Sequence, residues 1–89
     1  MTTTTSDFRN ELIRLLAKAQ EFGFIAVDIN AGQIHRRVGD YPGKDHRMPA
    51  CCAAMLGTMT LDDEIVVQPP SGKGARLTIR YRLPRPPVK

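Results

Sequence analysis

The sequence predicts one α+β domain, in which three helices accompany a small antiparallel sheet of three strands. Three observations lead there. Phe8, Leu12, Leu15, Leu16 and Ala19 recur at helical spacing. Leu77, Ile79, Tyr81 and Leu83 alternate with polar residues, as in a strand with one buried face. Clusters rich in Pro and Gly, "GDYPGKD" and "PPSGKG", separate the periodic segments. At 89 residues the core is marginal, and no deep catalytic cavity is expected.

The elements follow in order. Residues 1–5, "MTTTT", carry no apolar pattern and are expected to be a disordered start to a domain spanning 6–84. Ser6 offers an N-cap, with Asp7 and Glu11 near the positive end of a helix over about 7–22 that Gly23 stops. "FIAVDI", residues 24–29, reads as a strand because Ile25, Val27 and Ile29 alternate. Asn30 and Gln33 have capping-box spacing ahead of a short helix, "AGQIHRRV", with Ile34 and Val38 on its core side. The "GDYPGKD" turn centres on Pro42 and Gly43.

Asp45 or Met48 caps a third helix running to about Met59, and Pro49 is tolerated in its first turn. Cys51 or Cys52, Met55 and Met59 form its buried stripe. "LDDE" makes a turn, "IVVQ" a strand, "PPSGKG" a loop and "ARLTIRYRL" a longer strand. On that last strand Arg76, Thr78, Arg80 and Arg82 share the face opposite the apolar one, turned to solvent or a ligand. Residues 85–89 form a basic, Pro-rich, extended tail.

Charge placement is more informative than the net +4. From Ile65 to Lys89 there are six basic residues and no acid, whereas the first 64 residues sum to −2. Positive charge gathered on one structural element suits a polyanion, because each neutralised phosphate releases counterions. The alternative is a solvated strand kept basic against edge-to-edge aggregation. No run approaches 18 apolar residues and the N-terminus lacks a signal-peptide layout, so a cytoplasmic chain without membrane association is expected. Adjacent Cys51 and Cys52 cannot form a disulfide framework, which agrees with a reducing compartment.

Helix, strand, helix, turn, helix, strand, loop, strand is an order that resembles the winged helix–turn–helix superfamily across about residues 6–84. "HRRVGDYPG" and "HRMPACC" also look like phrases from small bacterial proteins of no assigned function. The resemblance implies that the first strand joins the terminal hairpin in one sheet. It also implies that "DHRMPACCAAMLGTM" is a recognition helix for the DNA major groove, with "PPSGKG" as the wing. Two features depart from the family pattern: the link "GDYPGKDH" is longer than a tight helix–turn–helix turn, and the third helix is poor in polar groups after Arg47.

Other chemistries fit the sequence less well than structural roles do. Lys73 between two glycines lacks the GxxxxGK[ST] pattern and the following helix of a phosphate loop, so a turn is the better reading. His35, His46, Cys51 and Cys52 include no CxxC-like pair. Adjacent helical cysteines diverge by about 100°, so one Cys in the core and its neighbour at an interface or half-buried is expected, with no metal. Asp62, Asp63 and Glu64 fit a polar turn better than a metal-dependent nuclease site. No GxSxG or HExxH occurs, and neither an enzyme nor a cofactor is expected. In "IHRRV" the two arginines turn outward with His35 at the margin, either as phosphate contacts or as a solvated face with Asp40 nearby. Tyr41–Pro42 reads as a turn packed on the core rather than a stacking contact.

The expected function is therefore that of a small DNA-binding protein, a regulator or an accessory of a DNA-acting system, whose partner is double-stranded DNA. Its contacts would come from Gln33, Arg36 and Arg37, from Lys44, His46 and Arg47, and from Lys73, Arg76, Arg80 and Arg82. A homodimer or a protein partner is compatible with this. The competing reading is a protein–protein interaction module that docks a partner on its apolar third helix. RNA binding is less well supported, because no aromatic RNP-like strand appears.

Overall fold

The computed structural model describes residues 4–38, 48–70 and 74–84. Its elements are α1 (Thr5–Glu21), β1 (Ala26–Asn30), α2 (Ala31–Val38), α3 (Met48–Thr58), β2 (Glu64–Val67) and β3 (Thr78–Arg82). The chain is α+β, with three helices and a three-stranded antiparallel sheet of order β1-β3-β2.

Helix α1 starts earlier than Ser6 predicts. Thr4 is the cap: its hydroxyl accepts from the Asp7 amide at 3.2 Å, and the Asp7 carboxylate accepts from the Thr4 amide at 2.8 Å. A cap at Ser6 would place Arg9 at the third helical position, and Arg9 has no acceptor to complete the box. Thr4 and Thr5 thus belong to capped helix rather than to a disordered start. At the other end Gly23 adopts φ +86°, the left-handed conformation that spares only glycine a steric penalty. The Phe24 amide donates to Ala19 and the Gly23 amide to Gln20, at 3.1 and 3.0 Å, which together make a Schellman termination.

That termination delays the first strand, which begins at Ala26 rather than at residue 24. As the alternation predicts, β1 lies beside the hairpin, with Val27 opposite Tyr81 and Ile29 opposite Ile79. Ile25 stands one step beyond the first register pair, at the end of the sheet, and its side chain is exposed instead of buried. Leu77, Ile79, Tyr81 and Leu83 are all buried, as expected for the inward face. They close a core built with Phe8, Leu12 and Leu16 of α1, Ile34 of α2, and Met48, Cys51, Cys52 and Met55 of α3. The Tyr81 hydroxyl donates to the Met55 carbonyl at 2.8 Å and ties the central strand to the last turn of α3.

β2 pairs only with β3, and all four of its residues are exposed. A bulge between Ile65 and Val67 interrupts its register, and Pro69 and Pro70 follow. Both features discourage another strand from adding to this edge. His35, expected at the margin, is fully buried and packs on Phe8 with ring centroids 4.7 Å apart. Its place on α2 one residue after Ile34 carries it under α1 rather than out to solvent.

Candidate nucleic-acid interface

Asn30 ends β1 and caps α2. Its Oδ1 accepts from the Gln33 amide at 3.2 Å, as the predicted spacing requires, and its Nδ2 donates to Thr78 Oγ1 at 3.2 Å. The first two amides of α2 find acceptors in the segment leading into β3. Ala31 donates to the Leu77 carbonyl at 2.8 Å, and Gly32 to the Ala75 carbonyl at 3.1 Å. This approach is close enough to favour glycine at 32. A Cβ there would lie 3.1 Å from Asn30 Oδ1 and 3.3 Å from the Ala75 oxygen, so one of them would have to give way. From the other side, the Cys52 thiol reaches the Gly74 carbonyl at 3.5 Å.

The base of the β2–β3 loop is thus held between α2 and α3. The two elements joined here carry exposed polar side chains: Gln33, Arg36 and Arg37 on α2, and Arg76 on the loop base. Arg76 makes no ion pair among the described residues. Arg37 approaches Glu11 Oε2 at 3.7 Å, but Glu11 is engaged chiefly by Arg14, at 2.7 and 2.9 Å. The hydrogen bond from Arg14, with smaller help from the charges of Arg14 and Arg37, holds the Glu11 carboxyl below its ordinary range. Lys44, His46, Arg47 and Lys73 lie outside the described residues, as do Asp40 and the Tyr41–Pro42 pair.

The arginines of β3 are placed differently. They occupy the predicted outer face, yet that face is not a bare basic strip. Arg80 forms a two-pronged pair with Asp28, at 2.8 and 3.1 Å, and reaches Glu64 at 3.4 Å. Both acids are its register partners, one on each neighbouring strand. The Arg80 hydrogen bond holds the Asp28 carboxyl below its usual range. Arg82 lies 4.0 Å from Glu64, and its amide donates to Asp63 at 2.7 Å. Counting charge along one strand misses Asp28 and Glu64, which only strand pairing brings alongside. The signal that finds them is an acid at an outward position on each neighbouring strand.

Helix α3 also departs from a base-reading surface. From Met48 to Thr58 it carries no Arg, Lys, Asn or Gln, and its exposed residues are Pro49, Ala53 and Gly57, spaced by four. None of the three has a side-chain group able to bond a base edge. Both cysteines are fully buried, where one was expected at an interface or half-buried. Adjacent positions are both covered because the loop base packs over Cys52 while Cys51 points at the start of α2. The Cys51 thiol lies 3.4 Å from the Ala31 carbonyl, and burial pushes its pKa up to about 12.

Among the described residues no three His, Cys, Asp or Glu side chains come together as a metal site. In the acidic turn, Asp63 accepts from the Thr60 amide at 2.8 Å and from the Arg82 amide at 2.7 Å, a turn-building role. No described helix is long and apolar enough to cross a membrane. Comparison with protein-family models, with curated proteins and with solved structures gives no match for this chain.

Proposed function

We propose that this is a winged-helix protein that binds duplex DNA along its phosphate backbone, as an accessory of a DNA-acting system. The winged reading is supported by the element order together with the sheet order β1-β3-β2. One observation carries the binding site. The amides of Ala31 and Gly32 dock α2, which carries Gln33, Arg36 and Arg37, onto the loop base, which carries Arg76. In sequence, Lys73 adjoins this junction, and Lys44, His46 and Arg47 fall between α2 and α3. Guanidinium groups from two elements suit phosphate oxygens.

The described part of α3 supplies no base-reading group, so the contacts position the protein without selecting sequence. Arg80 contributes less than Arg76, because Asp28 and Glu64 already neutralise it. The test is fluorescence anisotropy on a labelled duplex with the Arg36→Ala/Arg37→Ala/Arg76→Ala variant. Three lost phosphate contacts should lower the slope of log K against log salt by about 2.7, at roughly 0.9 per contact. An unchanged slope would overturn the site.

The uncharged Pro49, Ala53 and Gly57 surface of α3 favours a second reading, an interaction module that docks a protein partner there. Ala53→Arg separates the two: it should block such docking and leave duplex binding intact or strengthened.

A further inference from the structure

Glu11 and Arg14 stand three residues apart on α1, so their side chains share one face of the helix. Arg14 grips the carboxylate with two prongs, its Nε on Oε1 at 2.9 Å and its Nη2 on Oε2 at 2.7 Å. Arg37, in the last turn of α2, brings Nη1 to 3.7 Å from the same Oε2, in ion-pair range but too far for a hydrogen bond. Two arginines from two helices thus meet one carboxylate, and Arg14 holds it. The Glu11 side chain is only 11% exposed, whereas those of Arg14 and Arg37 are 50% and 55% exposed.

We infer, on the reading of Arg37 as a phosphate contact, that Arg14 is a positioning residue: by occupying Glu11 it leaves the Arg37 guanidinium available to DNA. A carboxylate so little exposed is poorly solvated and needs a cation beside it. Among the described residues, the charges acting on this carboxyl are those of Arg14 and Arg37. The hydrogen bond from Arg14 is the largest influence holding it below its ordinary range, and the charge of Arg37 is the smallest. With Arg14 removed, both oxygens lose their donors and Arg37 is the cation left to take them. Asp7, the other acid at this crossing of α1 and α2, is committed to the helix cap, where it accepts from the Thr4 amide at 2.8 Å.

Arg80 shows what a captured arginine looks like, two-pronged on Asp28 at 2.8 and 3.1 Å. In that state the fork that would grip a phosphate is already spent on a carboxylate. An open cleft of about 340 Å³, lined by Asp7, Asn10, Glu11, Arg14 and Val38, gives Arg37 room to close on Glu11 in the same way. Arg14 is what prevents it.

The test is the salt dependence of duplex affinity, measured by fluorescence anisotropy, together with the Arg37 side chain followed by NMR. Arg14→Ala should lower the slope of log K against log salt by about 0.9, the share of one phosphate contact. Glu11→Gln/Arg14→Ala should restore the wild-type slope, because an amide carries no charge to capture Arg37. In an Arg37→Ala background, Arg14→Ala should change the slope no further, since the contact it acts on is already gone. A direct phosphate contact by Arg14 would instead add to the Arg37 loss and would not be restored by Glu11→Gln; either result overturns the inference. Without DNA, exchange of the Arg37 Nε proton with water should slow in Arg14→Ala and return to the wild-type rate in Glu11→Gln/Arg14→Ala. Should the wild type bind no duplex, the proposed function falls, and this exchange still tells whether Arg14 keeps Glu11 off Arg37. Should the wild type bind duplex while Arg14→Ala leaves slope and exchange unchanged, the inference falls and the proposed function stands.

Discussion

Tyr81→Phe tests how the sheet is tied to the helices. The ring of Tyr81 is fully buried, and its hydroxyl donates to the Met55 carbonyl at 2.8 Å. That carbonyl lies in the last turn of α3, where helix carbonyls lack helical donors. Phenylalanine keeps the ring and opens no cavity, so the transfer and packing contributions nearly cancel. What changes is the hydrogen bond and the buried oxygen left behind, a loss of about 1–3 kcal/mol. In a domain of this size each kcal/mol moves the thermal midpoint by about 4–8 °C, so a drop of roughly 4–24 °C is expected. Thermal and urea unfolding followed by circular dichroism measure it, with the urea m value unchanged. A variant within about 0.3 kcal/mol of the wild type, well below the cost of an unsatisfied carbonyl, would refute the claim that Tyr81 satisfies the end of α3.

Two further predictions concern the buried thiols and an ion-paired carboxylate. Cys51 and Cys52 should resist a thiol reagent at pH 8 in the native protein and react fully once it is unfolded. Both are buried, and the Cys51 pKa of about 12 leaves little thiolate; fast native labelling would contradict this. Asp28 is lowered in the folded state by the hydrogen bond from Arg80, so its pairing stabilises the fold above the unfolded value of about 4. That stabilisation is lost as pH falls through the lower, folded value. Asp28→Asn should therefore melt below the wild type at neutral pH and converge with it in acid; a gap that persists in acid would mean that the ion pair is not its cause.

Much of the fold was legible because it is written in short-range patterns. The alternation from Leu77 to Leu83 placed the inward face of β3, and Asn30 with Gln33 placed the start of α2. The strand at 24–29 joined the hairpin with its start shifted, because the Gly23 turn uses the preceding residues for its own hydrogen bonds. The first cap was misplaced at Ser6, although a Thr-x-x-Asp box stood two residues earlier.

The candidate site was less legible. Arg36, Arg37 and Arg76 were readable as exposed cations, but the neutralisation of Arg80 depends on pairing across 52 and 16 residues. No local period encodes such contacts. His35 was misjudged for a related reason: whether a helix margin is covered depends on a neighbouring helix, here the one carrying Phe8.

The central claim is that this protein holds DNA by its phosphates. It is tested most directly by measuring wild-type affinity for two unrelated duplexes of equal length across a salt series. The account predicts the same affinity for both, falling with a slope of log K against log salt of about −3 to −6 for the three described arginines and their cationic neighbours in sequence. Absence of duplex binding at low salt, or binding insensitive to salt, would contradict it.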